Sequence, residues 1–276
     1  MDLKIFLVTP PWDWPRDAGK TFRKVLMDQR AEESDRLIAA ELAGDFTVID
    51  DDLADVLLAI VGNPKESEQL RAKAAISFGP ALEQGDLGFE DPDDVPITEF
   101  TFHKIQNSLR KLYMDTSNPK EVRRRILEAS VRAPEPWHQE AVREAYSSGD
   151  QEWVLTAVFS MCQVRGFDEQ ILASLKSDAP DIHFEAIRAA GNWQLDAAWS
   201  HVVGLVQDAR TPKSLLIAAI GAVGSIRPAE ALELLVDLAD SKDEEIADAA
   251  DEALMMAETL PDDEDGEENE EEEWIN

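Results

Sequence analysis

Residues 179–191 read Ala-Pro-Asp-Ile-His-Phe-Glu-Ala-Ile-Arg-Ala-Ala-Gly, and this stretch decides the fold because its pattern recurs along the chain. Each copy begins with an apolar residue, which we call the opener, and mostly small or apolar residues stand four and eight positions after it. Five openers follow one another at steps of 31, 29, 33 and 31 residues. Periods of this size are typical of helical solenoids, whose repeats stack on their neighbours. The openers are Val122, Trp153, Ile182, Leu215 and Ile246, and a sixth stands at Leu70, 52 residues before Val122.

Two helices are predicted in each repeat. The second helix begins near the opener, because residues such as Pro180 and Asp181 favour the first turn of a helix. Its apolar side chains recur at steps of three and four, which places them on one face. A partner helix precedes it, since a stripe such as Phe102, Ile105 and Leu109 stands before each opener. Each repeat is therefore predicted to be an antiparallel helix pair, with small residues where neighbouring second helices meet.

These residues resemble the HEAT-like repeat of the phycobilisome-lyase type, whose second helix starts near Pro-Asp and ends in Ala-Leu-Gly. Gly79, Gly191 and Gly224 occupy the terminal glycine position, and Arg71 and Arg123 match the family's arginine just after the opener. Other repeats depart from the pattern: Val131, Cys162 and Met255 replace the glycine, and Val154, His183, Leu216 and Ala247 replace the arginine. The resemblance covers roughly residues 45–260 and implies a fold shared by scaffolds, lyases and nucleic-acid enzymes. It predicts an all-α protein: an α-solenoid forming a right-handed superhelix of antiparallel helix pairs, with about six HEAT-like repeats plus an N-terminal cap.

Three segments are predicted. Residues 1–44, which include the Pro/Trp-rich stretch 10–15, form an N-terminal capping segment, because the end of a solenoid must cover an exposed apolar face. Residues 45–260 form the HEAT-like repeat solenoid, interrupted by a long acidic loop over 84–96. Residues 261–276 are predicted to be a disordered acidic tail, since they hold too few apolar side chains to offset chain entropy. This tail is either a solubilising terminus or a lure for basic partners.

The net charge of −32 and the single cysteine restrict the function. The acidic balance argues against nucleic acid as a partner, because neutralising phosphates requires clustered Lys and Arg. Cys162 cannot form an internal disulfide, which favours a reducing compartment. The sequence contains no recognisable secretory signal and no apolar stretch of about 18 residues, the length that spans a membrane. We therefore expect a cytoplasmic monomer that does not enter a membrane.

One region runs against the acidic balance. Between residues 104 and 132, eight basic residues stand against three acidic ones. They form either a patch that attracts anions or a ladder of helical ion pairs, because Glu121–Arg125, Arg124–Glu128 and Glu128–Arg132 are each four residues apart. The eight are Lys104, Arg110, Lys111, Lys120, Arg123, Arg124, Arg125 and Arg132.

A concave groove is predicted on the second helices, at the positions two, three and six after each opener. It is expected to be basic near Lys73, apolar near Leu155 and acidic near Asp248. An apolar strip rimmed by charge is typical of a site for a protein or peptide. The alternative is that the helix register differs by one residue and these side chains belong to the core. The predicted partner-binding residues are Leu155, Phe159, Phe184, Ile217, Arg188, Lys73, Arg124 and Arg125.

The sequence contains no recognisable catalytic or metal-binding motif. The four histidines lie in different predicted helices, without the spacing of a metal site. Residues Gly19-Lys20-Thr21 lack the earlier glycine of a phosphate-binding loop. We therefore predict a non-catalytic protein–protein interaction scaffold, without cofactor or metal, that binds an unknown protein or peptide in its groove. The alternatives are a lyase-like enzyme acting on a tetrapyrrole, a nucleic-acid-processing solenoid, and an acidic mimic of nucleic acid that binds a basic protein.

Overall fold

The computed structural model describes residues 3–45, 48–89 and 97–259, and these contain helices and no strand. The described part of the chain has fifteen α-helices and three short 3-10 helices. The α-helices are α1 Ala18–Met27, α2 Glu33–Leu42, α3 Asp51–Val61, α4 Glu68–Ile76, α5 Gly79–Asp86, α6 Glu99–Met114, α7 Lys120–Ser130, α8 Trp137–Ser147, α9 Gln151–Met161, α10 Asp168–Ser174, α11 Pro180–Asn192, α12 Trp199–Gln207, α13 Lys213–Ile226, α14 Pro228–Ala239 and α15 Glu244–Thr259. The predicted acidic tail and residues 90–96 of the predicted acidic loop lie outside the described residues.

The chain folds as two compact units, Met1–Val164 (unit 1) and Arg165–Asn276 (unit 2). In unit 1 the helix pairs α3/α4, α6/α7 and α8/α9 form successive repeats, and α1 and α2 pack against the first of them. The second helices α4, α7 and α9 pack on one another in that order. The long step from Leu70 to Val122 is explained by α5, an extra helix that packs against α6 and α7.

Unit 2 repeats the same plan. Its helix pairs are α10/α11, α12/α13 and α14/α15, and the second helices α11, α13 and α15 pack in sequence. Both units are therefore built from stacked antiparallel helix pairs, as the 31-residue period predicts. The all-α, α-solenoid fold class is confirmed.

The residues four positions after the openers are completely buried. Alanine at most of these positions lets the backbones of neighbouring second helices approach closely, because a larger side chain would hold them apart. The buried set is Ala74, Ile126, Ala157, Ala186, Ala219 and Ala250, each with no exposed surface.

Two of the terminal glycines lie where neighbouring second helices meet. A Cβ on Gly191 in α11 would lie 2.9 Å from Cα of Ala222 in α13, and one on Gly224 would lie 3.0 Å from the carbonyl oxygen of Ala253. These distances are shorter than ordinary van der Waals contact, and the opposing atoms belong to the backbone or to its first side-chain carbon. The glycine of the repeat is therefore a packing requirement.

Replacing Gly191 with alanine is expected to lower the free energy of unfolding by about 1–3 kcal/mol, because α11 and α13 would have to move apart. Gly221 provides the matched control: it lies in the same pair of packed helices, but a Cβ there would meet nothing within 4 Å. Gly221→Ala is expected to raise the free energy of unfolding by about 0.5–1 kcal/mol through helix propensity alone. Urea denaturation of both variants checks this, and changes of the same sign would contradict it.

The arginine just after the opener joins the two helices of a repeat. Arg71 Nε donates to the carbonyl oxygen of Val61 at 2.8 Å, and Arg123 Nε donates to that of Tyr113 at 2.8 Å. In both cases the acceptor stands ten residues earlier, near the end of the first helix. The side chain thus satisfies a carbonyl group that has no partner within its own helix.

Two second helices each begin with a lysine that forms ion pairs with acidic residues at the start of the next second helix. Lys120 pairs with Asp150 at 3.0 Å and with Glu152, and Lys213 pairs with Asp243 at 2.6 Å and with Glu245 at 3.1 Å. The partners stand 30 and 32 residues after the lysine in both units. We call this arrangement the lysine clasp.

The end of α11 contains a strained residue. Leu195 N–H donates to Ala190 O at 2.9 Å and Gln194 N–H donates to Gly191 O at 3.0 Å, which is a Schellman motif. Gln194 therefore adopts a φ of +50°, a conformation that favours glycine. Gln194→Gly is expected to raise the free energy of unfolding by about 0.5–1 kcal/mol. Chemical denaturation would measure the gain, and a loss would mean that the glutamine side chain contributes more than its backbone strain costs.

Candidate functional site

A cleft of about 500 Å³ lies on the second helices of unit 1, between α2, α4 and α7. Ala72, Lys73 and Ile76 line it, and these are the positions two, three and six after the opener of α4. Arg125, at the equivalent third position in the next repeat, lines the same cleft. Two of the predicted basic residues thus border one depression. Its complete lining is Leu37, Gln69, Ala72, Lys73, Ile76, Glu121 and Arg125.

Ion pairs hold the charged side chains of this cleft. Lys73 Nζ lies 3.2 Å from a Glu41 oxygen, and Arg125 donates to Glu121 at 2.8 Å and to Glu128 at 2.6 Å. The cleft therefore combines paired charges with the apolar side chains of α2 and α4. Such a mixture suits a segment of protein better than a free anion, because each cation already has a carboxylate partner.

Arg124 differs from the prediction, because its side chain is only 5% exposed and does not line the cleft. Its Nε donates to Thr156 Oγ1 at 2.9 Å, and Nη1 pairs with Glu121 at 2.8 Å. Thr156 in turn donates to Glu128 Oε1 at 2.6 Å. The reason is the close approach of α7 and α9, which encloses the second position after the opener. Arg124 joins neighbouring repeats and is not available to a partner.

The basic region between residues 104 and 132 is largely neutralised. Two predicted ladder pairs are present, Arg125–Glu121 at 2.8 Å and Arg124–Glu128 at 3.8 Å. Arg132 pairs with Glu83 and not with Glu128, because it stands beyond the end of α7, where four-residue helical spacing no longer applies. Arg123 lies over the rings of Tyr113 and Trp153. Lys104 and Lys120 bind carboxylates of neighbouring helices. The ion-pair alternative thus describes this region better than an anion-attracting patch.

The predicted apolar groove residues are half-buried in both units. In unit 1 these are Leu155 and Phe159 of α9, and in unit 2 they are Phe184 of α11 and Ile217 of α13. Arg188 of unit 2 is exposed, pairs with Glu185 at 3.0 Å, and has its guanidinium carbon 5.9 Å from the centroid of the Phe184 ring. None of the four apolar side chains is fully buried, so each unit presents part of its apolar surface on the second helices.

A second cleft of about 340 Å³ in unit 1 was not predicted from the sequence. It is bordered by the N-terminal segment, the end of α2 and the start of the extra helix α5, and none of these three elements is a helix of a regular repeat. No periodic signal could have brought these three segments together. The lining residues are Trp14, Glu41, Leu42, Gly44, Asp45 and Pro80.

Ser130 and His138 form a buried pair that resembles a nucleophile and its base. His138 Nδ1 lies 2.8 Å from the Glu135 backbone nitrogen, whose N–H it accepts, and 3.2 Å from the Glu135 carbonyl oxygen; we assign the proton of the neutral ring to Nε2 from the shorter of these contacts. Nε2 then donates to Ser130 Oγ at 2.9 Å, and Ser130 donates to the Leu127 carbonyl. Burial lowers the pKa of His138 to about 4. The ring cannot accept the serine proton in this arrangement, so the pair has a structural role.

A second histidine pair links α11 and α12 in unit 2. The Nε2 atoms of His183 and His201 are 2.8 Å apart. Burial lowers the pKa of both rings, and Lys176 contributes further at His201. Among the described residues no group of three or more His, Cys, Asp or Glu side chains is placed to hold a metal ion. Within the same residues no helix has the length and apolar content needed to cross a membrane.

Comparison with solved structures finds several that resemble this chain. The YibA protein of E. coli is 15% identical, with 86% of this chain and 83% of that chain covered at a TM-score of 0.50. The complex of CpcE and CpcF of phycocyanin lyase from Nostoc sp. PCC7120 is 16% identical, covering 89% and 98% at a TM-score of 0.43. Human deoxyhypusine hydroxylase is 15% identical, with 88% of this chain and 96% of that chain covered at a TM-score of 0.37. This chain has an α-solenoid fold of helical repeats.

No family model matches the sequence, and no curated protein matches it. At these identities the likeness to YibA concerns the fold alone, because one helical-repeat fold serves unrelated functions.

Proposed function

We propose that this protein is a non-catalytic scaffold that binds an extended segment of a partner protein on its second helices. The observation that supports this most directly is the 500 Å³ cleft of unit 1, where α4 and α7 present Lys73 and Arg125 at the same repeat position. A repeated position along stacked helices suits an extended ligand, because successive residues of the ligand meet successive repeats. We also propose that the repeats are of the phycobilisome-lyase type, on the basis of Gly191, Gly224 and the arginines after two openers.

The cleft is organised before a partner arrives. The ion pairs of Lys73 and Arg125 restrict these long side chains, which lowers the entropic cost of binding. Leu37 and Ile76 offer apolar surface beside them, and the cleft volume lies within the range of protein ligand pockets. The half-buried Leu155 and Phe159 add apolar surface on α9 of unit 1, and Phe184, Arg188 and Ile217 are proposed as a separate binding surface of unit 2.

Two observations favour a scaffold over the enzymatic alternatives. The protonation of the Ser130–His138 pair prevents general-base chemistry there. Most of the cations between residues 104 and 132 already bind carboxylates, which weakens the case for a nucleic-acid enzyme. We further propose that the protein acts as a monomer in the cytoplasm, where its buried Cys162 would remain reduced.

A display library of unstructured peptides tests the proposal. The wild-type protein is expected to enrich a family of related peptides. The Ile76→Glu variant and the Leu155→Glu/Phe159→Glu double variant should bind these peptides at least about tenfold more weakly. The reason is that the bound peptide would bury an unpaired carboxylate, which costs more than about 1.4 kcal/mol. Phe100→Glu is the control, because Phe100 is 77% exposed on a first helix of the same unit. It should bind the peptides as the wild type does.

The outcomes separate clearly once each variant has been checked for helicity and thermal melting. Enrichment of no peptide family, or equal binding by folded variants and the wild type, would overturn the proposal. If the apolar variants fail to fold, Lys73→Glu keeps the test decisive, since Lys73 is partly exposed and the loss of its pair with the exposed Glu41 should leave the protein folded. Binding that disappears entirely in moderate salt would instead support the acidic-mimic alternative.

A further inference from the structure

The second cleft of unit 1 has a distinctive chemical lining. Trp14, Leu42 and Pro80 give it an apolar and aromatic part, and the acidic residues Glu41 and Asp45 also line it. An aromatic ring together with carboxylates attracts a cation, through the ring quadrupole and through charge-assisted hydrogen bonds. An anion would meet two like charges at the same place. The lining therefore selects a positively charged group.

The aromatic part of this cleft is held in a fixed position. Trp14 Nε1 donates to the Thr9 carbonyl oxygen at 2.8 Å. The indole also packs edge-to-face against Phe6 and Phe22, with both ring centroids 5.5 Å away, and these two phenylalanines are buried. The ring consequently does not have to be ordered when a ligand binds, which favours affinity.

One of the two carboxylates connects the second cleft with the first. Glu41 lines the second cleft, and its Oε2 pairs with Lys73, which lines the first cleft. Lys73 is the cation that faces the carboxylate from α4, and it offsets part of the negative charge. The two clefts therefore lie next to each other on unit 1, within reach of a single extended segment.

We propose that the second cleft binds an arginine side chain of the partner segment whose neighbouring residues occupy the first cleft. Arginine fits better than lysine, because its planar guanidinium stacks on an aromatic ring while donating to carboxylates. The net charge of −32 would also speed the encounter with a basic segment. The identity of the partner rests on the proposed function, whereas recognition of the arginine side chain does not.

The pocket can be tested without a partner by two-dimensional ¹H–¹⁵N NMR of the tryptophan indole groups. Comparison with Trp14→Phe assigns the Trp14 signal. N-acetyl-arginine amide is expected to move this signal in a saturable way, and N-acetyl-citrulline amide, which has nearly the same shape without the charge, should bind roughly tenfold more weakly. Glu41→Gln should weaken the binding of N-acetyl-arginine amide, and the Glu41→Gln/Asp45→Asn double variant should weaken it further. Glu140→Gln, an equal charge change at an exposed residue of α8, should leave binding unchanged.

Several results would overturn the inference. An unmoved Trp14 signal, equal binding of the citrulline compound, or unchanged binding by Glu41→Gln would each exclude a cation site. Equal or tighter binding of N-acetyl-lysine amide would exclude the preference for arginine. In another outcome, the library peptides require Ile76 for binding while N-acetyl-arginine amide does not bind at all. That result would exclude the arginine pocket but leave the proposed function intact.

Discussion

Replacing Arg124 with methionine is expected to lower the free energy of unfolding by about 1–3 kcal/mol, because buried polar groups lose a partner. The guanidinium is 5% exposed, and its partner Glu128 is 8% exposed. Removing the cation leaves the Glu128 carboxylate buried beside Thr156 with only Arg125 to neutralise it. Glu128 keeps Arg125 as a cation, whereas Thr156 Oγ1 loses the Arg124 donor, so the expected cost is that of buried polar contacts left unmade. Urea denaturation followed by circular dichroism measures the loss.

Arg143→Met is the matched control for this change. Arg143 also pairs with a glutamate three residues away in the same unit, but it is 56% exposed. Its loss is expected to cost less than about 1 kcal/mol, as for other surface pairs. Similar losses for the two variants would show that burial does not set the energy of the Arg124 network.

A compensating variant separates the loss of charge balance from the loss of packing. Replacing Arg124, Glu128 and Thr156 together by methionine, methionine and valine removes every buried charge of the network. Such replacements are often neutral or stabilising, so most of the Arg124→Met loss is expected to be recovered. If the triple variant is less stable than the single one, the polar contacts between α7 and α9 provide net stabilisation.

Lowering the pH from 7 to 5 is expected to reduce stability by about 2 kcal/mol through His138 alone. Burial lowers the pKa of this ring to about 4 in the folded protein, against an ordinary value of about 6.5 in the unfolded chain. The unfolded chain therefore binds the proton first as the pH falls. The contribution of His138 to the free energy of unfolding is fully present above about pH 6.5. It declines as the pH falls towards 4 and does not change further below pH 4.

Comparison of variants isolates the contribution of His138. His138→Gln removes the titration and keeps a donor that can reach Ser130, so its stability should fall less steeply between pH 7 and 5. His183 and His201 contribute a slope of the same sign in both proteins, because their pKa values are also lowered. Equal slopes for wild type and His138→Gln would contradict the prediction.

The fold could be predicted because the repeat signal is distributed over many positions. Openers spaced about 31 residues apart, alanines four positions later and the arginine after the opener all lie in the structure where the repeat requires them. The division between Val164 and Arg165 has no such signal in the sequence, because the period continues across it. The predicted boundaries at residues 44 and 260 remain predictions.

The candidate site could be predicted only in part. The register brings Lys73 and Arg125 to one cleft, because residues at equivalent repeat positions lie side by side. It fails for Arg124, whose burial depends on how closely two particular helices approach. It also fails for Trp14 and Pro80, which come from segments outside the repeat. Periodicity determines which residues face the same way, but not the depth of each gap between helices.

The lysine clasp has a consequence for how such a chain could lengthen during evolution. In both copies of the clasp the two acidic acceptors stand 30 and 32 residues after the lysine donor. The donor is Lys120 in one copy and Lys213 in the other. A duplicated segment that runs from Lys120 to Asp150 would therefore carry both the donor and its first acceptor. Gene duplication could insert a whole repeat with its junctions already formed, and selection would need to adjust only the surfaces that meet other molecules.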